Sequence, residues 1–427
     1  MTLENPAPDT RAARLPEIKV PGLLTLLGLG AGLGIGLALA GTPALDRMLP
    51  LAEPVGALWL QALKMTIMPL VCGLLFTGIV ETVAAANAGT MARRTLGFIV
   101  GTLALSAVVG GLLMPALIAL FDPPRGIAIA GAAAGPPPQV PGVGDFLRSL
   151  LPTNVMTAAA ADALLPVIVF TALFALASTR LADAPRRQLA LLFEGLAGAM
   201  MVVIGWVLTL APVGVFALGL SLAAQSGAAA LGTLATYIVL VSSCGAVFLL
   251  AAYAIAAVLG RKRLRAFAKA ILPAQVVAVS TQSSLASLPA MLVACRELKV
   301  RPTSAEFVLP LAVTLFRATS PAMNVGVCVY AAHVAGVELS AGALAAGTFV
   351  GFLTTFGSVS LPGTVSFVAS TAPIAAAMGI PLWPLGVLVA VEMLPDIMRT
   401  VGNVTMDVAV TSAVDAADPP ASRETVH

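Results

Sequence analysis

Apolar stretches long enough to cross a lipid bilayer recur along almost the whole chain. Hydrophobic residues make up 59% of the 427 residues and charged residues only 10%, whereas soluble domains average about 25% charged residues. A crossing takes about 20 apolar residues, so the chain has room for about eight transmembrane helices. The sequence therefore predicts an all-α integral membrane protein. The apolar stretches are roughly 23–40, 54–80, 95–121, 163–177, 189–222 and 234–259.

The sequence lacks motifs that are typical of enzymes, metal sites and disulfide-bonded proteins. The four cysteines have no CxxC spacing, which predicts small core residues and neither a disulfide framework nor a zinc site. No Gly-rich phosphate loop or nucleophile elbow follows a strand pattern. We predict that the chain is not an enzyme and takes no cofactor and no nucleic-acid partner.

The basic residues predict the orientation in the membrane. Residues 1–20 are polar, and the first apolar stretch is long enough to span the bilayer, which favours a cytoplasmic tail over a cleaved signal peptide. Most of the 23 Lys and Arg residues fall in segments that are cytoplasmic if the amino terminus is inside. We predict a multi-pass protein of the plasma (inner) membrane, with both termini, 1–20 and 415–427, in the cytoplasm.

Pro, Ser and Gly interrupt the apolar stretches after residue 265, at 280–289, 314–321 and 357–363. Irregular backbone at membrane depth is tolerated only where protein buries it or where it lines a watery cavity. The interruptions at 284–289 and 358–363 resemble each other, and matching interruptions in successive halves indicate an inverted-repeat binding site. We predict two re-entrant helical hairpins that enter and leave the membrane on the same side.

Polar residues follow one face of the last apolar helix. At about 100° per residue they fall within an arc of roughly 100°, and a charge at helix centre costs about 2.5–3.5 kcal/mol unless it meets a partner or a cavity. One interpretation is a structural ion pair between neighbours at i, i+3. The other is an acidic amino-acid site, because an arginine fork fits a carboxylate and an aspartate holds an ammonium group. The residues are Glu392, Asp396, Arg399, Thr400, Asn403 and Asp407.

Four segments resemble the dicarboxylate/amino acid:cation symporter family, which contains the glutamate transporters and their prokaryotic homologues. They are Leu63–Val71, the serine-rich hairpin ending at Pro289, the Leu361-Pro362-Gly363 hairpin, and Arg399–Asp407, which is similar to the family pattern Arg-Thr-x-x-Asn-Val-Thr-Gly-Asp. The resemblance covers about residues 22–413. It implies a homotrimer of elevator-type transporters built from inverted repeats.

The resemblance also implies a division of the chain. Residues 21–225 would form mainly a scaffold, except that the third helix, about 95–121, belongs to the transport domain. Residues 226–414 would form most of the transport domain. Its parts would be hairpin 1 at about 265–297, broken helix 7 at about 305–335, hairpin 2 at about 340–373 and helix 8 at about 382–413.

By the same resemblance, Asp396 binds the substrate amino group and Arg399 its distal carboxylate. Thr400 and Asn403 contact its main-chain and nearby polar groups, and Asp407 binds a sodium ion.

The hairpins take the remaining roles that the resemblance implies. Ser283 and Ser284 touch the main-chain carboxylate. An outer gate closes over the ligand, and Thr355 and Ser358 lie where the family has a second sodium site. The gate residues are Gly357, Ser358, Leu361, Pro362 and Gly363; the two glycines could equally serve only a tight turn.

The sequence departs from the family in broken helix 7. Where the family has Asn-Met-Asp-Gly-Thr, the gapless register gives Phe316-Arg317-Ala318-Thr319-Ser320, so two sodium-binding side chains are lost. Ser320 then stands where a threonine helps hold the distal carboxylate. A register on Met323–Gly326 would need an insertion and a deletion.

Arg317 adds a fixed positive charge at membrane depth, which needs a partner. We hypothesise that it neutralises Asp407 in place of a cation, so that transport depends weakly or not at all on sodium and uses protons or exchange. The alternative is that Arg317 points away and a sodium site remains near Thr314, Thr355 and Ser358.

The leading functional hypothesis is a secondary symporter of acidic amino acids such as aspartate or glutamate, with altered coupling. A C4-dicarboxylate or neutral amino-acid transporter is the alternative, although Arg399 would be left unpaired without an anion. A non-transporting membrane protein that retains the fold is the third possibility.

Overall fold

The computed structural model describes residues 22–86, 89–124, 151–161, 163–226, 229–356 and 363–417. Over these residues the chain is helical, and they contain no strand. The helices are α1 Gly22–Ala38, α2 Pro43–Ala86, α3 Thr90–Phe121, α4 Val155–Ala160, α5 Leu164–Ser178, α6 Asp183–Thr209, α7 Ala211–Ser226, α8 Ala229–Val258, α9 Leu264–Thr281, α10 Ser284–Glu297, α11 Pro302–Leu315, α12 Ser320–Val334, α13 Ala341–Thr355, α14 Gly363–Ala377, α15 Trp383–Leu388 and α16 Met393–Ala417.

Among the described helices, four are long and apolar enough to cross a membrane, namely α2, α3, α6 and α8. Several shorter apolar helices accompany them, including α1, α5 and α7. An all-helical chain of this kind is a multi-pass membrane protein, as the sequence predicts. Three of the four cysteines are buried and none is in a disulfide.

Two pairs of short helices occupy the segments predicted as hairpins. Helices α9 and α10 pack on each other around a turn at Gln282, whose φ of 50° is left-handed. Helices α13 and α14 also pack on each other, and residues 357–362 between them lie outside the described residues. The four helices have 18, 14, 15 and 15 residues, fewer than the about 20 of a full crossing. Re-entry on the same side of the membrane stays a prediction.

The segment predicted as broken helix 7 consists of two helices, α11 and α12, which are separated by residues 316–319, of which Phe316 is extended. Two other predicted helices are wrong in detail. The stretch 189–222 is two helices that meet at Leu210, just before Pro212. The predicted helix 382–413 is α15, a turn at 389–392, and α16. Pro395 lies in the first turn of α16, the position at which a helix tolerates its missing N–H.

Packing separates the helices into two groups. In the amino-terminal half, α1 packs mainly on α7, and α2 packs on α5, α6 and α7. In the carboxy-terminal half, α16 packs on α8, α9, α10 and α11, while α3 packs on α12 and α13. Helix α3 thus joins the later helices in space. The division into a scaffold and a moving transport domain stays a prediction.

Gly110 sets the close contact between α3 and α12, and Gly110→Ala is expected to destabilise the protein. A Cβ at this position would lie 2.4 Å from the backbone oxygen of Ala322, and overpacking of this kind costs about 1–3 kcal/mol. Thermal unfolding in detergent micelles measures the loss. The matched control is Gly101→Ala on the same helix, where nothing lies within 4 Å; equal midpoints for the two variants would contradict the prediction.

Candidate substrate and cation site

Arg399 lies between two carboxylates. Its Nη1 is 2.9 Å from Asp396 Oδ1, and its Nη2 is 2.6 Å from Glu392 Oε1. The three side chains are between 2% and 7% exposed. Asp396 and Arg399 meet as i, i+3 neighbours on α16, whereas Glu392 comes from the turn before it. The i, i+3 ion pair that was one interpretation of the sequence is therefore present, and Glu392 is a second carboxylate partner of Arg399. We call these three residues the charge cluster.

One edge of the Arg399 guanidinium is only partly paired. Nε and Nη2 form this edge, and Nε donates to no described residue. Nη2 has one ion-pair contact, with Glu392 Oε1 at 2.6 Å. A buried donor without an acceptor costs about 1–3 kcal/mol, and a planar guanidinium edge binds both oxygens of a carboxylate. The edge is therefore suited to a carboxylate ligand.

Glu392 also binds a tyrosine from another helix. The hydroxyl of Tyr237 on α8 donates to Glu392 Oε2, and Tyr237 is fully buried. Its ring packs on Tyr330 of α12, with ring centroids 5.6 Å apart. No sequence pattern pointed to Tyr237, because a single tyrosine in an apolar helix is usually a core residue.

Asn403 holds the break between α11 and α12. Its Oδ1 accepts from the backbone nitrogen of Thr319 at 3.0 Å and from the Thr319 hydroxyl at 2.9 Å. The same hydroxyl lies 3.0 Å from the Arg399 carbonyl oxygen. The amide oxygen of Asn403 is thus occupied by the protein, which leaves the amide nitrogen for a ligand.

Ser106 on α3 holds the other side of the break, and the sequence analysis missed it. Its hydroxyl donates to the Ala318 carbonyl at 2.6 Å and accepts from the Ala322 backbone nitrogen at 3.1 Å. One buried hydroxyl therefore satisfies a carbonyl and an N–H that the helix break frees. Gly110 lies one turn further along the same face of α3.

Asp407 is buried on α16 without a hydrogen-bond partner. It is 0% exposed, and neither carboxylate oxygen bonds to a described residue. Arg317 in the break interacts electrostatically with Asp407 and Asp396, and its Nε also has no partner. Within the described chain the two groups form no ion pair, which requires a nitrogen–oxygen distance of 4.0 Å or less. The charges act on each other across a gap, and neutralisation of Asp407 by Arg317 stays a prediction.

The predicted hydroxyl ligands mostly bond to their own helices. Thr314, Thr355 and Thr400 each donate to the carbonyl four residues earlier, at 2.8, 2.8 and 3.0 Å. Ser320 is buried as the first residue of α12. A hydroxyl that donates backwards can still accept a hydrogen bond or bind a cation.

The hairpin serines are not hydrogen-bonded to the charge cluster. Ser283 caps α10 by accepting from the Ala286 nitrogen at 3.2 Å, and Ser284 begins that helix. Gly363 begins α14, and its predicted partners in the gate, Gly357, Ser358, Leu361 and Pro362, lie outside the described residues. The role of the two hairpins in binding stays a prediction.

A membrane protein with a broken helix pair and a buried charge cluster has the organisation of a secondary transporter. Within the described ranges no group of three or more His, Cys, Asp and Glu could hold a metal ion. The model of the sodium:dicarboxylate symporter family matches residues 22–417, and the chain belongs to this family.

Similar proteins include named symporters. The proton/sodium-glutamate symport protein of Bacillus subtilis (strain 168) is 28% identical over 398 residues, which are 90% of each chain. The proton/glutamate-aspartate symporter of Escherichia coli (strain K12) is 26% identical over 83% of this chain and 82% of its own. A C4-dicarboxylate transport protein of Anaeromyxobacter sp. (strain K) is 30% identical over 38% of each chain.

Proposed function

We propose that this protein is a secondary symporter of acidic amino acids such as aspartate or glutamate. The observation that carries the proposal is the buried Arg399 edge, where Nε donates to no described residue and Nη2 is held only by its ion pair with Glu392. The distal carboxylate of the substrate would bind this edge, and its ammonium group would take Asp396 as partner. The glutamate and aspartate symporters among the similar proteins support the same substrate class.

The remaining contacts complete the proposed site. The free amide nitrogen of Asn403, together with Thr400 and Ser320, would contact the substrate's polar groups. Ser283 and Ser284 would bind its main-chain carboxylate at the start of α10, since a helix N-terminus favours an anion. Residues 357–363 would close over the ligand.

A C4-dicarboxylate substrate is the second candidate. It is favoured by the similar C4-dicarboxylate transport protein and by the Arg399–Asp396 ion pair, which satisfies Asp396 without an ammonium group. Uptake of labelled aspartate, glutamate, malate and serine into proteoliposomes separates the candidates. Aspartate or glutamate should be preferred; preference for malate or serine, or no uptake, would contradict the proposal.

Asp396→Asn is expected to reduce aspartate uptake by about 10- to 100-fold, because a charged hydrogen bond to the ammonium group is worth about 1.5–3 kcal/mol. Malate has no ammonium group and should lose less. The measurement is concentration-dependent uptake in proteoliposomes, with Asp183→Asn, an exposed aspartate, as control. If aspartate uptake is intact and the wild type takes malate equally well, the dicarboxylate interpretation is correct.

We further propose the plasma membrane as the location, cytoplasmic termini, a homotrimer and an elevator motion. The coupling ion is a proton or sodium, as the names of the similar symporters indicate for those proteins. Of the two, the proton is favoured here, because Arg317 already supplies a positive charge near Asp407 where a bound cation would otherwise be needed.

A further inference from the structure

We propose that Glu392 is a proton-binding site, filled when an acidic substrate draws Arg399 away from it. The inference rests on the proposed function and adds the residue that carries a coupled proton. It starts from the ion pair between Arg399 Nη2 and Glu392 Oε1 at 2.6 Å.

The substrate and Glu392 compete for the same edge of Arg399. Nη2 belongs to the edge that would bind the distal carboxylate, and it is also the atom that faces Glu392. A carboxylate that binds both Nε and Nη2 would have to share Nη2 with Glu392. A carboxylate that binds Nε and Nη2 together makes two charged hydrogen bonds, whereas Glu392 makes one contact with Nη2, so the substrate is the stronger partner.

Substrate binding then leaves Asp396 and Glu392 with different partners. Asp396 keeps its hydrogen bond from Arg399 Nη1 and gains the substrate ammonium group. Glu392 keeps the hydroxyl of Tyr237, which is neutral, and its side chain is 2% exposed. A buried carboxylate without a cationic partner is more stable with a proton.

The charge balance of the charge cluster also favours a proton on Glu392. The empty cluster has two carboxylates and one guanidinium, one negative group in excess. An acidic amino acid adds one more net negative charge, and a proton on Glu392 restores the original excess. Protonation therefore lets the buried cluster take the substrate at constant charge, which avoids the cost of an uncompensated buried charge.

Other charged or titratable groups near Glu392 do not supply this positive charge. On α8, Tyr237 contacts Glu392 directly, and its own neighbours on α12, Tyr330 and Cys328, are not cationic side chains. Arg317 acts on Asp396, Arg399 and Asp407, and it is not among the charges that act on Glu392.

Calorimetry of aspartate binding to the purified full-length protein tests the proposal. Titrations in two buffers of different ionisation enthalpy give the protons taken up per aspartate. We expect about one proton for the wild type and about one fewer for Glu392→Gln, by proton linkage. Exposed Glu297→Gln is the control and should match the wild type.

If Glu392→Gln binds aspartate too weakly for calorimetry, infrared difference spectra of the wild type test the same proposal. Aspartate should produce the carbonyl band of a protonated carboxylic acid in the wild type. Aspartate binding without this band, or proton uptake equal in the wild type and Glu392→Gln, would overturn the proton site and leave the symporter proposal standing. Failure of the wild type to bind either aspartate or glutamate would instead overturn the proposed function.

Discussion

Arg399→Ala is expected to reduce aspartate and glutamate uptake by at least about 100-fold, because removing one partner of a buried ion pair costs about 3–5 kcal/mol. Two losses combine in this variant. The substrate's distal carboxylate has no guanidinium edge to bind, and Glu392 and Asp396 are left as buried carboxylates without their cation. Uptake of small neutral amino acids, which bring no second carboxylate, should fall much less.

Arg399→Lys distinguishes charge from shape. Lysine keeps the positive charge but lacks the planar fork that binds both carboxylate oxygens. We expect Arg399→Lys to retain the folded protein, measured by its thermal unfolding midpoint, and to transport aspartate poorly. The assay is competition between labelled aspartate and unlabelled serine in proteoliposomes. An unchanged preference for acidic substrates in Arg399→Ala would show that Arg399 does not bind the distal carboxylate.

Two features of the candidate site follow from local patterns in the sequence. Proline and serine at membrane depth predicted an interruption at 314–321, and a break lies there between α11 and α12. Helical spacing predicted that Asp396 and Arg399 share a face, and they form an ion pair. Charged residues in an apolar helix are costly, so few of them occur by chance.

Contacts between segments that lie far apart in the chain could not be predicted from local sequence patterns. Tyr237 and Glu392 are 155 residues apart in the chain, and Ser106 reaches Ala318 over a separation of 212 residues. Each is a single polar residue whose partner depends on how the helices pack. Glu392 was also expected on the helix face, whereas the turn before Pro395 sets it apart from α16.

We predict that Arg317, which lies in the break between α11 and α12, determines how transport depends on sodium. Asp407 bonds to none of the described residues, and Arg317 is the described charge that acts on it. A sodium ion is a hard cation that needs several oxygen ligands, while Phe316 and Ala318 offer only backbone oxygens. We expect wild-type uptake to change little when sodium is replaced by potassium or choline at fixed pH, and to rise with an inward proton gradient.

Arg317→Met should decrease this uptake by about 10-fold or more, since Asp407 loses the compensating charge. The residual uptake should depend more steeply on external cations or protons. The double variant Arg317→Met/Asp407→Asn removes both charges and should recover part of the loss, because charges that interact show non-additive effects. Arg317→Lys, which keeps the charge, is the control. Steep, saturable sodium dependence of the wild type would refute the hypothesis, and additive losses in the double variant would show that Arg317 does not act on Asp407.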